Sequence, residues 1–173
     1  MWIQTYSGER FDYNLLSPIK MEDIAWSISH TCRYNGHSRR FYSVAEHCVH
    51  VSNAVDPEYA LAGLLHDAAE AYVGDLPYPL KVYLRSIGQT AFDEMEEQIH
   101  KAIFEMHDLP WPMPPQVKEI DKNMLAVEAP ALLGKLQPGW DMGDNPPPVS
   151  LRYWSPRMAY SQYMARYKAL TDE

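Results

Sequence analysis

Apolar residues recur at helical spacing along most of this chain, and stretches rich in proline or glycine separate the runs. Such a pattern favours helices packed on helices over a sheet. From Glu22 onward Ile24, Ala25 and Ile28 mark one face, and the run stops before the polar loop Arg33-Tyr34-Asn35-Gly36-His37. Ser43 to Glu46 has capping-box spacing: the serine accepts from the backbone of Glu46, whose side chain can reach back. Val44, Cys48 and Val51 follow on an apolar face, with His47 beside it. Asp56-Pro57 opens a helix carrying Ala60, Leu61, Leu64, Leu65 and Ala68, and Gly74 closes it. Asp75 to Leu80 holds two prolines and reads as a stiff extended loop before a short helix to Ser86. Thr90 caps a long amphipathic helix through Met106, and Gln116 to Glu128 is helical again. Gly134 to Ser150, with four prolines and three glycines, is a loop, and Ser155-Pro156 opens a last helix to Leu170. The expectation is all-α: one domain over residues 1–173, six or seven helices, and a short β-hairpin at Gln4 to Tyr13 around Ser7-Gly8.

With 173 residues the chain can bury a core without disulfide or metal staples. Its formal net charge of −8 argues against a nucleic-acid groove. It leaves room for an anionic small substrate, because carboxylates around a divalent cation are neutralised in the site. The longest apolar run, Ala60 to Leu65, is too short to cross a bilayer, and the N-terminus lacks the features of a signal peptide. Cys32 and Cys48 form no framework and read as packing residues. A reduced, cytoplasmic protein is expected, with no membrane partner.

Phosphate loops, GxGxxG, HExxH and GxSxG are all missing, so histidine and carboxylate remain as the carriers of chemistry. Two His-Asp pairs occur. His107-Asp108 lies at the polar end of a helix and reads as surface. His66-Asp67 follows three apolar turns and precedes Ala68-Ala69, where an ionised aspartate is costly unless it is paired or ligates a cation. Glu70 lies at i+4 from His66 and i+3 from Asp67, so the three can share one side of a helix. His47 and Asp121 are candidates for two further ligands from other helices. His30, His37, His50 and His100 compete with His47, and spacing alone does not choose among them. A mixed imidazole and carboxylate set suits Zn²⁺, Mn²⁺, Co²⁺ or Fe²⁺, and water held by such an ion becomes a nucleophile near neutral pH. Lys81, Lys122, Arg39 and Arg40 are available for a polyphosphate tail, and Trp26, Tyr34 and Tyr78 for stacking on a base.

The series His47, His66-Asp67, Asp121 resembles the H…HD…D signature of the HD-domain metal-dependent phosphohydrolases. Ser43 to His47 and His66 to Lys81 look like the matching segments of small bacterial 5′-deoxynucleotidases, and the likeness runs in order from Ile24 to Glu128. Cys32 to His37, Arg40 to His47 and Trp154-Ser155-Pro156 are similar to compact HD proteins that include phage dATP triphosphohydrolases. This resemblance implies a compact HD helical bundle that hydrolyses deoxynucleotides. His47, His66, Asp67 and Asp121 would bind a divalent metal (Zn, Mn or Co), with Mg²⁺ as a second ion carried by the nucleotide. Glu70 would orient or deprotonate the attacking water, Asp75 would lie at the sugar or transfer a proton, and Arg33 would hold a phosphate or sugar oxygen. A tryptophan follows that arginine in the 5′-deoxynucleotidases, where Tyr34 stands here, and the interval from His47 to His66 is shorter here. The family also implies a homo-oligomer. The first expectation is a dATP-type triphosphohydrolase and the second a 5′-deoxynucleotidase acting on monophosphates. A cyclic-nucleotide or ppGpp hydrolase and a non-catalytic nucleotide-binding HD module are further readings.

Overall fold

The structure, a computed structural model, describes residues 1–171. It is mostly helical, with one two-stranded antiparallel hairpin. Strand β1 (Trp2–Gln4) pairs with β2 (Arg10–Asp12) in the register Ile3 opposite Phe11. The hairpin therefore begins two residues before the sequence pattern suggested. Its turn is fastened to the first helix: the Ser7 backbone N–H and hydroxyl both donate to Asp23, at 2.6 and 2.8 Å. Phe11 is fully buried and stacks on Tyr72 at 4.0 Å.

Helices α1 (Met21–His30) and α2 (Val44–Ala54) follow. Every residue of α2 from Val44 to Ser52 is buried, so α2 is the central rod of the bundle rather than an amphipathic surface helix. Next come α3 (Ala60–Leu65) and α4 (Glu70–Val73), then α5 (Tyr78–Ser86) and α6 (Ala91–Met106), and finally α7 (Pro115–Leu133) and α8 (Pro156–Thr171). Around α2 are packed α1, α3, α7 and α8. Because α3 and α4 are two halves of one interrupted rod, the described helices amount to seven rods, as the periodicity implies. Among the described residues no helix is long and apolar enough to cross a membrane.

Four local expectations are revised. Asp56-Pro57 starts a single 3₁₀ turn (Pro57–Tyr59) before α3, and Asp56 makes no side-chain cap. Pro79 lies in the first turn of α5, where its missing N–H costs nothing, so that helix starts at Tyr78 and not after Leu80. α7 runs through Pro130 to Leu133 and ends at Gly134 (φ 78°), one turn beyond Glu128. The capping box at α2 is half formed. Ser43 Oγ accepts from Glu46 N at 3.1 Å, but the Glu46 side chain does not turn back.

Instead the fully buried Glu46 carboxylate accepts three backbone N–H groups from the segment leading into α8. They come from Arg152 at 2.6 Å, Tyr153 at 2.9 Å and Trp154 at 2.7 Å. Tyr153 takes a left-handed backbone (φ 57°) to present them. The carboxylate thus ties the C-terminal helix to the central one. Removing it strands three donors, each at about 1–3 kcal/mol. Glu46→Ala is expected to lower unfolding stability by about 3 kcal/mol or more in urea titration. Glu46→Gln, which keeps one acceptor oxygen, should fall between the two. Equal stability of Glu46→Ala and the parent would refute this account.

Candidate metal centre

His47 projects from the middle of α2, and His66-Asp67 lie where α3 is interrupted. The sequence suggests one continuous helix there. The backbone instead tightens into i→i+3 bonds: Ala68 N to Leu65 O, Glu70 N to Asp67 O and Tyr72 N to Ala69 O, at 2.9–3.1 Å. Part of the reason is visible in His66, whose Nδ1 takes the Gly63 carbonyl at 2.8 Å. In a tightened stretch residues three apart eclipse one another, which sets Glu70 over Asp67. Gly63 also permits close approach of α3 to α2, since a Cβ there would lie 3.2 Å from Ser52 Cα and from Val55 Cγ2.

The two histidines then face each other. A carbonyl can only accept, so His66 Nδ1 carries a proton and its Nε2 is left as a lone pair. His47 Nδ1 donates to Glu128 Oε1 at 2.6 Å, which leaves its Nε2 in the same condition. These two Nε2 atoms are 3.1 Å apart. Asp67 Oδ2 lies 3.2 Å from His66 Nε2 and 3.6 Å from His47 Nε2. Asp121 Oδ1, from α7, lies 3.0 Å from His47 Nε2 and 3.7 Å from His66 Nε2. Three electron-pair donors, His47 Nε2, His66 Nε2 and an Asp67 oxygen, thus converge with no hydrogen of the neutral rings between them, while Asp121 approaches the two nitrogens but falls outside the group whose donor atoms all lie within 4.8 Å of one another. Ligands held at about 2.1 Å by one ion stand about 3.0 Å apart at right angles and about 3.4 Å apart at tetrahedral angles. The observed separations bracket those values, and His47, His66 and Asp67 together could hold a metal ion. The donor set fits a divalent cation of the kind that accepts both imidazole and carboxylate.

Without a cation, protons must fill the gap. Burial opposes charge on both imidazoles, but carboxylate neighbours outweigh it and raise both pKa values: Glu128 and Asp121 at His47, Asp67 and Asp121 at His66. The same contacts hold Asp67 and Asp121 below the usual carboxylate range against the opposing effect of burial.

Glu128 is the residue that sequence reasoning missed. It is fully buried, and each oxygen is used twice. Oε1 accepts from His47 Nδ1 and from Tyr42 OH at 2.8 Å. Oε2 accepts from Tyr34 OH at 3.3 Å and faces an Arg33 guanidinium nitrogen at 3.2 Å. Burial would push its carboxyl up, but Arg33, His47 and the bonds from His47 and Tyr42 hold it at about 2. A signal for it existed: Glu128 is two helical turns beyond Asp121, on the same face of α7.

The other predicted site residues divide into two groups. Arg33 is at the centre, with Nη1 3.3 Å from Asp67 Oδ2 and its buried Nε without a partner. Glu70 is buried and its Oε2 has no hydrogen-bond partner; burial, then Asp67 and Asp75, drive its pKa well up. Asp75 is half-buried just after Gly74, and burial raises it too. Tyr34 joins the centre through Glu128. Lys81 is not free, since its ammonium is held by both oxygens of Glu96 at 2.8 Å. Lys122 points outward to Asp141 at 2.9 Å. Arg39 is exposed and packs over Gly134, about 20 Å along α7 from Asp121. Of the competing histidines, His30 and His37 are exposed, and His50 stacks between Tyr42 and Trp154. His100 is driven down to about 4 by burial. Burial pushes the Cys48 thiol up to about 11, in keeping with a packing role.

Three outcomes are expected. Metal binding requires deprotonated Nε2 atoms, and both histidines have raised pKa values in the metal-free protein. Affinity should therefore fall as pH drops through those values, and binding at pH 7 should release protons into a weakly buffered solution. Binding without proton release would contradict the assignment. For the metal-free protein the stabilising contribution of these imidazoliums is complete below about 6.5. It is lost as pH rises through the raised folded values, so stability should decline on that limb. Glu128→Gln should weaken metal affinity by about 10–100-fold in calorimetric titration, because it disturbs the partner that fixes the His47 tautomer.

No family model matches the chain. It is similar to YfdR of Escherichia coli K12, an uncharacterized protein, at 38% identity over 178 residues, covering 99% of this chain and 96% of that one. It is also similar to the uncharacterized protein RCAP_rcc00048 of Rhodobacter capsulatus, at 33% identity over 141 residues, covering 74% of this chain and 69% of that one. With a likeness that spans both proteins almost end to end, the chain belongs to the family of YfdR.

Proposed function

We propose that this protein is a metal-dependent phosphohydrolase of the HD type that acts on deoxynucleotides, in the first instance on triphosphates. The observation that carries the metal is the meeting of two imidazole lone pairs and the Asp67 carboxylate at one point, with Asp121 beside the two nitrogens. The substrate class rests on the resemblance of His47, His66-Asp67, Asp121 and the segment from Glu70 to Lys81 to the deoxynucleotide phosphohydrolases.

A divalent cation held there would supply Lewis-acid polarisation of a phosphoryl oxygen and a nucleophilic water near neutral pH. The chain's own groups do the rest. Glu128 orients His47, and the Gly63 carbonyl orients His66. Arg33 keeps a positive guanidinium beside Asp67 with one N–H unspent, available to a phosphoryl oxygen. Glu70 Oε2 takes the proton of the attacking water as the new P–O bond forms. A carboxyl whose pKa is driven up by burial and by Asp67 and Asp75 is matched to that task. At the α-phosphorus of a triphosphate the bond to the 5′ oxygen breaks, triphosphate remains whole, and the nucleoside oxygen receives a proton. Asp75, half-buried and close enough to Glu70 to raise its pKa, is a further carboxyl for that transfer or for a sugar hydroxyl.

Lys81 and Lys122 are both ion-paired, so their use on a polyphosphate tail requires exchange of Glu96 and Asp141 for phosphate. Arg33 offers an unspent donor at the centre, which suits a monophosphate equally well. The second reading, a 5′-deoxynucleotidase, follows from that observation.

Metal analysis followed by a panel of deoxynucleoside and ribonucleoside mono- and triphosphates, read for phosphate and for triphosphate, tests the proposal. Triphosphate release supports the first reading and phosphate from monophosphates the second. A metal-loaded protein inert on the whole panel would refute both. Asp67→Ala should lose the metal. Glu70→Ala should keep it, with substrate affinity nearly unchanged and the rate down by about 10²-fold or more. If Glu70→Ala also loses metal, Glu70 is a ligand and the assignment of the base is wrong.

A further inference from the structure

The loop Gly134 to Ser150 is anchored where it crosses α7. Gly143 N donates to Lys122 O at 3.3 Å, and Asn145 N to Asn123 Oδ1 at 3.5 Å. A Cβ at Gly143 would overlap the Asn123 amide, so the loop lies directly on the helix two residues beyond Asp121. Ahead of that anchor the loop carries Trp140, a large apolar side chain that is 38% exposed, next to Gly139 in a left-handed backbone (φ 101°). The ring of Trp140 lies beside the ring of Tyr34, with centroids 6.4 Å apart and planes tilted by 53°.

Tyr34 is held from the other side. Its hydroxyl donates to Glu128, and the Arg33 guanidinium lies 5.7 Å from its ring centroid. Its backbone is left-handed (φ 58°), as is that of Asn35, a conformation costly for a bulky residue and kept only where the surroundings impose it. One ring is therefore fixed beside the centre, and the other sits opposite on a glycine-flanked loop.

Two rings that sandwich a third must stand about 7 Å apart, since each contact takes about 3.5 Å. The centroids stand 6.4 Å apart with planes tilted by 53°, so admitting a base requires Trp140 to rotate and move slightly outward with its loop. The bond from Asp141 to Lys122, between exposed side chains, is weak enough to let the loop tip adjust.

We propose that Tyr34 and Trp140 form a clamp that binds the planar base of a nucleotide while its phosphate lies at the metal centre. This deepens the phosphohydrolase reading and rests on it. Stacking of this kind is tolerant of base identity, so the clamp supplies affinity for nucleotides in general and leaves discrimination among bases to contacts at the ring edge.

The test uses the intact metal-free protein in chelator, where no turnover occurs. It is titrated with dATP, dGTP, dCTP and TTP, and separately with inorganic triphosphate, while tryptophan emission is followed. Nucleotides should quench the emission and triphosphate should not. Trp140→Phe should remove most of the quench yet keep Kd, measured by equilibrium dialysis, within about twofold. Trp140→Leu should weaken Kd by roughly tenfold or more and raise KM with little change in kcat. Tyr34→Phe, which keeps the ring, should retain affinity that Tyr34→Leu loses. An undiminished quench in Trp140→Phe, an unchanged Kd and KM in Trp140→Leu, or no quench by any nucleotide overturns the clamp. Hydrolysis by the parent protein with an unaffected Trp140→Leu sinks the clamp alone. A parent that neither binds divalent metal nor hydrolyses any nucleotide sinks the functional reading as well.

Discussion

Two imidazole nitrogens with their lone pairs aimed at the same point, 3.1 Å apart, are the constraint around which this protein is arranged. Neither ring can turn away. Each is fixed from behind by an acceptor that demands its Nδ1 proton, the Gly63 carbonyl for His66 and the Glu128 carboxylate for His47. Lone pairs in that position repel unless something positive lies between them, and Asp67 and Asp121 add two further negative groups. Protons or a cation must occupy the gap. The energetic expense of the arrangement explains why its supports are so complete. Glu128 is buried without exposure and yet has a donor or cation on every side, in the form of His47, Tyr42, Tyr34 and Arg33. A buried carboxylate left with fewer partners would destabilise the fold by several kcal/mol.

The rest of the bundle serves to place these groups. α2 is buried all round because it carries His47 at the centre and Glu46 one residue earlier, on a different side. Glu46 turns outward from the candidate site and binds the backbone that leads into α8. Adjacent carboxylate and imidazole thus face two different tasks, one holding the C-terminal helix and one the candidate site. From α8, Tyr163 donates back to Leu64 O at 3.1 Å, and Arg166 binds Ser52 through Oγ and the carbonyl, both at 3.0 Å. These bonds clamp α3 and α2 together close to Gly63, where the two backbones come nearest.

A charged centre needs a route for its ligand, and burial is unequal around it. His47 and His66 are enclosed, whereas the Asp121 side chain is 41% exposed. α7 therefore forms one wall of the opening, and the loop after it folds back along the same helix. Arg33 and Tyr34 pack against that helix through Glu128.

Much of this was legible in the amino-acid order. The helical count follows from apolar periodicity and from breaks at Pro110 to Pro115 and Gly134 to Ser150, because local spacing decides which face can be buried. Asp67 stood out because an aspartate just after the apolar run Ala60 to Leu65 must find a partner, and Glu70 followed from its spacing. Other features depend on groups distant in sequence and could not be read from local pattern. Spacing did not choose His47 over four other histidines; the choice is made by α7, which brings Asp121 and Glu128 to its two ring nitrogens. The same holds for Glu46, whose capping-box position hides a bond to a segment more than 100 residues away. The interruption at His66 also escaped, because a side chain taking a backbone carbonyl competes with the helix at a strength that composition does not reveal. What the sequence determined by itself was the set of elements and the presence of costly polar groups within apolar runs. Only the tertiary structure decided which of those groups meet, since a buried charge is stabilised by whichever partner the packing of the helices delivers to it.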